Sequence, residues 1–509
     1  MLISIFGSSV FGVEASLITI EVNIGGGIGY HLVGLPDNAI KESNYRIAAA
    51  LNNIGYKLPG KKITINMAPA DLRKEGSAYD LPLALGILAA SGQISAPDIE
   101  SYIIMGELAL DGSIRPIKGA LPIAIQALKD GFDGFLLPKE NAMEAAIVKD
   151  LKVYGVSNLE EVIDFFNQKR TLQPVVVNTR KEFQKQLKYP EHDFSDVKGQ
   201  EGIKRCMEIA AAVGHNLILI GPPGAGKTML AKRLPSILPP MNLQEALETT
   251  KIHSVLGKVK NNGLISVRPF RAPHHTISDV ALVGGGAYPQ PGEISINGVL
   301  FLDELPEFKR SVLEVMRQPL EDREVTISRA KFTVTYPASF MLVASMNPSP
   351  SGYFTDPYSK LGPSATEMQR YMGKISGPLL DRIDIHIEVE PVPFEKLSDT
   401  KAEESSESIR QRVSAARDLQ TLRFETYPNI NYNAQMNTRQ IRKYCKLDTT
   451  SSNLLEKAME RLSLSARAYD RILKVARTIA DLEARPEVES VHVAEAIQYR
   501  SLDREGWWG

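Results

Sequence analysis

Short apolar runs alternate with segments of helical periodicity over residues 1–170. Strand-like runs followed by helical stretches predict a compact α/β domain in this part of the chain. The strand-like runs are Ser16–Val22, Lys62–Met67, Gly134–Leu137 and Lys152–Gly155, and the helical stretches include Leu81–Ala90 and Leu121–Lys129.

The pattern changes twice after this domain. Residues 171–193 are polar without a sustained core pattern, and we predict a linker there. Residues 194–392 carry apolar strands, each followed by a glycine or polar loop and a helix, which predicts a parallel sheet with crossover helices. Residues 393–509 pass through a Ser/Glu-rich stretch and become helical, which predicts a small helical domain.

One strand of the predicted parallel sheet runs into a phosphate-binding loop. The apolar run His215–Ile220 precedes this loop, and a helix follows it. Glycines let backbone N–H groups surround phosphate oxygens, and a helix amino terminus favours an anion. Lys227 would supply a positive charge and Thr228 a hydroxyl ligand, so the sequence predicts a site for ATP and Mg²⁺. The loop consists of Gly221, Pro222, Pro223, Gly224, Ala225, Gly226, Lys227 and Thr228.

Two further strands end in polar side chains that suit this site. Gly298–Leu302 leads into Asp303 and Glu304. We expect Asp303 to hold Mg²⁺ through a bound water and Glu304 to orient and polarise the attacking water. The run Phe340–Ser345 leads to Asn347, whose amide would sense the γ-phosphate; the alternative is an ordinary turn-forming residue before a proline.

Composition and charge bound the possible functions. The 509 residues suggest roughly two to four domains, and 59 Lys and Arg against 60 Asp and Glu give no global field toward nucleic acid or a membrane. Cys206 and Cys445 lack the spacing of a cysteine-based metal site. We expect no signal peptide and no membrane-spanning segment, and therefore a cytoplasmic protein without a membrane partner.

Longer motifs surround the predicted nucleotide site at residues 193–200, 268–277, 292–298 and 376–384. With these motifs the chain resembles the magnesium-chelatase-like branch of the AAA+ ATPases, and within it the ComM/YifB competence family. The resemblance implies an AAA+ P-loop core with a parallel sheet, a C-terminal helical lid and hydrolysis of ATP to ADP and phosphate.

The resemblance also implies two arginine roles. Arg382 is similar to an arginine finger that reaches the γ-phosphate of a neighbouring subunit, which implies a ring and, for this family, a homo-hexamer. The alternative for Arg382 is a surface ion pair with a neighbouring aspartate. Arg467 lies where the family carries a lid sensor; Arg471 and Arg477 are nearby competitors for that role.

Basic and histidine side chains are the expected substrate contacts. In the family, Arg271, His274 and His275 correspond to a loop that faces the ring channel. Arg329 and Lys331 lie near the tip of a predicted hairpin over Arg323–Tyr336, and such hairpins hold DNA or another substrate in related motors. A metal site is the alternative for the two histidines, but adjacent residues point to different faces of a regular element.

Residues 105–119 and 134–141 resemble the proteolytic domain of Lon, an S5-like α/β fold. Lon-type cleavage needs a serine nucleophile and a lysine base. Motif matching places Asp80 at the serine position and Leu121 at the lysine position, so we expect a non-proteolytic domain. An active protease that uses Ser77 is the alternative.

The resemblance implies a function class. The expected protein is a hexameric DNA helicase or branch-migration translocase, acting on single-stranded or branched DNA during recombination in natural transformation. The alternative is a protein-remodelling motor or a metal-insertion motor like the magnesium chelatase subunits.

Overall fold

The computed structural model describes residues 2–179, 182–183, 192–259, 263–286, 289–329, 332–353, 364–397, 403–427 and 430–500. The chain divides into two compact units: Met1–Leu187 with Asn242–Ser266, and Lys188–Met241 with Val267–Gly509. Among the described helices, none has the length and apolar character that crossing a membrane requires.

The amino-terminal unit is built on a mixed sheet. Its strands are β1 (Leu2–Phe11), β2 (Glu14–Gly25), β3 (Gly29–Val33), β4 (Lys62–Ala68), β5 (Tyr102–Ile104), β6 (Glu107–Leu108), β7 (Ile114–Arg115), β8 (Gly134–Pro138) and β9 (Lys152–Val156). Its helices before residue 187 include α1 (Asn38–Lys41), α2 (Ser43–Asn53), α3 (Asp80–Ala90), α4 (Ala120–Lys129), α5 (Lys139–Ala145) and α6 (Leu159–Phe166).

Seven of these strands form one sheet in the order β3-β4-β2-β1-β5-β8-β9. β2 pairs antiparallel with β1 and β4, whereas the β1–β5, β5–β8 and β8–β9 pairs are parallel. Helix α3 is buried along its whole length because its sequence after Asp80 contains no charged or polar side chain. The predicted α/β architecture of this region is confirmed.

The second unit begins with α7 (Glu201–Val213), β10 (Leu217–Ile220) and α8 (Lys227–Ile237). All four residues of β10 are buried, as expected for a central strand of a parallel sheet. The loop from β10 to α8 is the predicted phosphate-binding loop, and its helix begins at Lys227.

Residues Asn242–Ser266 leave the second unit and fold with the amino-terminal unit. Helix α9 (Leu243–Val255) begins with a capping box and packs against α4. The backbone carbonyl of Ser254 accepts a hydrogen bond of 3.0 Å from Gly119, which precedes α4. The predicted domain 194–392 includes this segment, because helical periodicity does not reveal which sheet a helix packs against.

The second unit continues with α10 (Asp279–Val283), α11 (Arg310–Glu314), α12 (Arg317–Asp322), α13 (Ala365–Met372), α14 (Gly377–Leu380) and α15 (Phe394–Leu397). Its further strands are β11 (Phe270–Arg271), β12 (Gly284–Gly285), β13 (Gln290–Pro291), β14 (Gly298–Leu302), β15 (Glu324–Arg329), β16 (Phe332–Pro337), β17 (Phe340–Met346) and β18 (Ile385–Glu388). Five strands form one sheet in the order β11-β14-β17-β10-β18, with every neighbouring pair parallel. The predicted parallel sheet is therefore confirmed.

The carboxyl-terminal part is helical, with α16 (Ser406–Phe424), α17 (Thr438–Tyr444), α18 (Thr449–Arg461), α19 (Ala466–Leu482) and α20 (Ser490–Gln498). Apolar side chains of α16 and α19 pack in the same core as α7 and the parallel sheet. The predicted boundary near residue 393 thus separates a sheet region from a helical region within one compact unit.

Candidate nucleotide site

The phosphate-binding loop lies at the carboxyl end of β10, an interior strand between β17 and β18. Gly221 approaches β18 so closely that a Cβ there would lie 2.2 Å from the Val389 carbonyl oxygen. Gly226 has a φ of 88°, in the left-handed region that favours glycine, and caps the amino end of α8. A side chain at Gly221 would clash with the backbone, and one at Gly226 would be strained. The loop places the amino terminus of α8 at the carboxyl ends of the parallel strands.

The Lys227 ammonium group is directed into this loop. Nζ donates to the backbone oxygens of Gly221 at 2.6 Å and Pro222 at 3.0 Å, and to Asn347 Oδ1 at 3.1 Å. Burial lowers the pKa of Lys227, while the carboxylates of Asp303 and Glu304 oppose that shift. The contact with Asn347 joins two residues that are 120 positions apart in sequence.

The two predicted carboxylates follow β14 at the same edge. Asp303 Oδ2 accepts a hydrogen bond of 2.8 Å from the hydroxyl of Thr228. Asp303 Oδ1 accepts a hydrogen bond from Ser345 on β17, and the backbone N–H of Glu304 donates to that same serine oxygen at 3.2 Å. Glu304 has a φ of 55°, a left-handed conformation that is uncommon for a residue with a side chain.

These groups line a cavity of about 460 Å³, within the usual range for small-molecule sites. The lining includes Gly224, Lys227, Thr228, Asp303 and Glu304. Phosphate suits the Lys227 ammonium group, the amino terminus of α8 and the N–H groups of the loop. Mg²⁺ suits the Thr228 hydroxyl beside the Asp303 carboxylate. The residues present therefore fit both ATP and Mg²⁺.

Three supporting residues were not singled out from the sequence. Ser345 contacts both carboxylate residues, the Tyr371 hydroxyl donates to the Asn347 carbonyl at 3.0 Å, and Gln200 Nε2 donates to the Ala225 carbonyl at 3.1 Å. Each of the three forms a hydrogen bond with a residue of the site, and the three come from different parts of the chain. The signal for Ser345 was its place on the strand that leads to Asn347, but its role follows from strand order, which the sequence does not give.

Arg382 lies near the amino-terminal ends of β10 and β18, whereas the phosphate-binding loop lies at the carboxyl end of β10. Because β18 runs parallel to β10 with Ile385 opposite Leu217, the residues before Ile385 lie at the amino ends of both strands. The four steps from Leu217 to the loop span roughly 13 Å. The Arg382 guanidinium is buried, pairs with Glu321 and donates to the Pro378 carbonyl at 2.7 Å.

The sensor candidates lie along α19. Arg467 is exposed in the first turn of this helix, whereas Arg471 pairs with Asp384, two residues after Arg382. Burial disfavours the Asp384 carboxylate, but Arg471 and His215 together hold its pKa well below the usual range. Arg477 is buried and pairs with Asp481. The two competitors are thus bound within the unit, and Arg467 is the exposed arginine of the three.

The predicted substrate contacts that the structure describes lie in two parts of the chain, the segment from β11 to α10 and the β15–β16 hairpin. Arg271 ends β11 and forms a bidentate pair with Glu293 at 2.5 and 2.7 Å. The rings of His274 and His275 lie 4.1 Å apart, and His274 is exposed. Among the described residues, no cluster of three or more His, Cys, Asp or Glu suits a metal ion.

The predicted basic hairpin is confirmed as the antiparallel pair β15–β16. Arg329 is exposed at the end of β15, and its guanidinium lies beside Gly285 of the small β12–β13 ribbon. The Tyr336 hydroxyl also donates to the Pro289 carbonyl at 2.7 Å, so the hairpin is fixed against that ribbon. Lys331 lies outside the described residues.

The Lon-like positions of the amino-terminal unit are occupied by internal contacts. Asp80 is fully buried and accepts from Arg46 Nε at 2.7 Å and Nη2 at 2.9 Å. Burial raises the pKa of Asp80, and Arg46 opposes the shift. The Leu121 N–H donates to Glu144 at 3.1 Å, and the Ser77 hydroxyl donates to Glu107. Ser77 is thus bound to a carboxylate.

The comparisons with known protein families cover most of the chain. Residues 193–397 match the family Magnesium chelatase, subunit ChlI, residues 20–141 match Subunit ChlI of Mg-chelatase, and residues 403–500 match the C-terminal family of the same subunit. The chain is 44% identical over 505 residues to the competence protein ComM of Haemophilus influenzae, which covers 98% of this chain and 97% of ComM. It is also 44% identical over 497 residues to YifB of Escherichia coli, covering 97% and 96% of the two chains.

A shorter similarity concerns the Lon proteases. Lon protease 2 of Bacillus subtilis is 28% identical over 127 residues, which is 24% of this chain and 22% of the protease. This partial similarity supports the Lon-like character of the amino-terminal region.

Proposed function

The chain belongs to the ComM/YifB family of magnesium-chelatase-like AAA+ proteins, and on that premise we propose that it is an ATP-driven DNA motor. In this proposal a homo-hexamer acts in the cytoplasm as a helicase or branch-migration translocase during recombination in natural transformation. The observation that carries the ATP-driven part of the proposal is the convergence of Lys227, Thr228, Asp303, Glu304 and Asn347 on one cavity. The DNA part is supported by the 44% identity to the competence protein ComM.

Nucleotide binding would use the loop and the helix that follows it. The Lys227 ammonium group, now held by two loop carbonyls, is placed to exchange them for phosphate oxygens. Thr228 and Asp303 would hold Mg²⁺, which when bound neutralises phosphate charge. The Thr228 hydroxyl can keep its hydrogen bond to Asp303 while an oxygen lone pair faces the metal.

Hydrolysis would depend on the exposed carboxylate of Glu304. A carboxylate at the cavity wall can accept a proton from an attacking water and orient it toward the γ-phosphate. Asn347 is already hydrogen-bonded to Lys227, so its amide would sense the loss of the γ-phosphate. Glu304 and Asn347 would therefore act on the same bond from neighbouring strands.

Two arginines are assigned roles beyond the nucleotide cavity, one between subunits and one in the helical lid. Arg382 lies at the sheet edge opposite its own phosphate-binding loop, so we assign its guanidinium to the nucleotide of a neighbouring subunit. It would exchange Glu321 for that nucleotide. Exposed Arg467 would couple phosphate loss to movement of the helical lid.

The DNA contacts are assigned to the basic hairpin and the histidine loop. Exposed Arg329 on β15, with Lys331, would bind DNA phosphates without reading the base sequence. His274 and His275 would add contacts, and Arg271 would first have to exchange its partner Glu293. Such contacts are expected to weaken as salt concentration rises.

The test is steady-state ATP hydrolysis by the purified full chain at one fixed salt concentration. The reactions contain no DNA, single strands, duplex or a four-way junction. We expect DNA to stimulate hydrolysis and the Arg329→Ala, Lys331→Ala double variant to lose the stimulation while keeping the basal rate. Arg461→Ala is the control, because it removes an exposed arginine from a different element, α18.

Two outcomes would redirect the proposal. Hydrolysis that is indifferent to every DNA would favour a protein-remodelling or metal-insertion motor, the function class suggested by the magnesium chelatase matches. Equal loss of stimulation in Arg461→Ala would remove the assignment to the hairpin.

A further inference from the structure

Ser345 is a buried polar residue at the centre of the candidate site. Its side chain is fully buried, yet it lines the wall of the nucleotide cavity. Buried hydroxyl groups in folded proteins nearly always have hydrogen-bond partners. The hydrogen-bond partners of Ser345 are both in the nucleotide site: the Asp303 carboxylate and the backbone N–H of Glu304.

Strand pairing explains how Ser345 reaches these partners. β14 and β17 are parallel neighbours with Leu302 opposite Ala344, so the next residues along the two strands are Asp303 and Ser345. The serine hydroxyl donates its hydrogen to Asp303 Oδ1. Its oxygen accepts the backbone N–H of Glu304 at 3.2 Å. One hydroxyl group therefore uses both its donor and an acceptor position within the site.

The Asp303 carboxylate is held on both sides by this arrangement. Thr228 donates to Oδ2 and Ser345 donates to Oδ1. The plane of a carboxylate held by two donors on different strands and helices is fixed, whereas one donor alone leaves rotation about the side chain. Groups that fix the orientation of a metal ligand affect metal affinity or activity by about 10- to 100-fold in other proteins.

The backbone of Glu304 also needs support. Its φ of 55° lies in the left-handed region, which a residue with a side chain occupies only when its surroundings hold it there. The N–H of Glu304 is bound by Ser345, and its carbonyl oxygen accepts the N–H of Glu307 at 2.8 Å. Ser345 thus holds the residue that would orient the attacking water.

We propose that Ser345 is a positioning residue that fixes Asp303 for Mg²⁺ and Glu304 for water. The inference rests on the proposed ATP hydrolysis at this site. It adds one dependence to that proposal. The Mg²⁺ concentration needed for nucleotide binding is set in part by a serine whose hydroxyl group is hydrogen-bonded to Asp303 and Glu304.

The test compares Ser345→Thr with Ser345→Val in the full chain. The two side chains have nearly the same shape, but only threonine keeps a hydroxyl group. Binding of a fluorescent ATP analogue is measured against Mg²⁺ concentration and again in EDTA, and kcat is measured at saturating Mg²⁺. Ser295→Ala is the control, because Ser295 is also fully buried and its hydroxyl has no partner among the described residues.

We expect Ser345→Val to raise the Mg²⁺ midpoint and lower kcat, each by about 10-fold, with affinity in EDTA unchanged. Ser345→Thr should stay within about 3-fold of the wild type, and Ser295→Ala should match the wild type. Equal midpoints and kcat values for the threonine and valine variants would overturn the inference. An inactive wild type would instead contradict the proposed function itself.

Discussion

The nucleotide site and the Lon-like positions are both groups of polar residues at the ends of strands and helices, but they differ in what surrounds them. At the nucleotide site, Lys227 and Glu304 line a cavity of about 460 Å³. In the amino-terminal unit, Asp80 is buried against Arg46, and Leu121 is bonded through its backbone to Glu144 and Ser254. The first group faces space for a ligand, whereas the second is enclosed by its own protein.

The side chains at the two Lon-like positions, Asp80 and Leu121, are part of the packing of the amino-terminal unit. We predict that Asp80 and Leu121 take the serine and lysine positions of Lon; the Asp80 carboxylate is held by Arg46 and leucine has no basic group, so a serine–lysine pair would be absent there. Segment 242–266, inserted between the elements of the second unit, supplies Ser254 to the same region of the amino-terminal unit. Substitutions in the two regions should therefore have different consequences: loss of chemistry in one and loss of stability in the other.

The largest expected effect concerns nucleotide binding. Lys227→Ala removes the cation of the phosphate-binding loop and should abolish measurable ATP binding, and hydrolysis with it, since hydrogen bonds to charged groups are among the strongest. Titration with a fluorescent ATP analogue measures the change. An affinity equal to that of the wild type would show that the loop is not the ATP-binding site.

The next effect concerns turnover in the assembled ring. Arg382→Ala should leave ATP binding intact and lower hydrolysis by about 10³-fold, the lower end for arginine fingers. Mixing this variant with Lys227→Ala subunits gives the sharper result. Rings that contain both should regain activity, because a wild-type finger from one subunit meets an intact loop of another; no recovery at any mixing ratio speaks against a finger that acts between subunits.

A smaller loss of rate is expected for Glu304→Gln. The amide keeps the shape of the side chain but cannot accept a proton, so hydrolysis should fall by about 10²-fold while binding persists. Single-turnover hydrolysis measures the chemical step. A normal single-turnover rate would mean that Glu304 does not act on the attacking water.

The amino-terminal unit should respond through stability alone. Arg46→Ala leaves the buried Asp80 carboxylate without its cation and should lower the local free energy of unfolding by about 3–5 kcal/mol, with ATP hydrolysis unchanged. Hydrogen exchange in α3 measures the loss. Arg73→Ala, which breaks an exposed pair with Glu75, is the matched control and should cost less than about 1 kcal/mol.

The pH dependence of that loss has a defined sign. Burial already raises the pKa of Asp80, and removal of Arg46 should raise it further. A raised folded-state pKa means that the folded state binds more protons than the unfolded state, so stability falls as pH rises through that range. The deficit of Arg46→Ala should therefore be smaller at pH 5 than at pH 7.5, and a deficit that does not change with pH would contradict the assignment to the Asp80 charge.

The sequence predicts the local chemistry of this protein better than its long-range pairing. The P-loop, the strand Gly298–Leu302 and Asn347 are each visible as a short apolar run followed by polar residues, and the structure brings them together. A parallel sheet directs strand ends to one edge, so the motif spacing was sufficient to predict that meeting.

The remaining features depend on strand order and packing, which short patterns do not encode. Ser345 meets Asp303 only because β17 lies next to β14, and α9 joins the amino-terminal unit through contacts with α4. The Arg471–Asp384 pair likewise joins residues 87 positions apart. This pair distinguishes Arg471, which is held by a carboxylate, from Arg467, which is exposed.

The most direct test of this account measures ATP hydrolysis and peptide hydrolysis on the same preparation of the full chain. The wild type is compared with Glu304→Gln and Ser77→Ala in the presence of Mg²⁺. We predict ATP hydrolysis that falls in Glu304→Gln and is unchanged in Ser77→Ala, with no peptide hydrolysis in any of the three. Peptide cleavage by the wild type that is lost in Ser77→Ala, or ATP hydrolysis in Glu304→Gln at the rate of the wild type, would contradict these assignments.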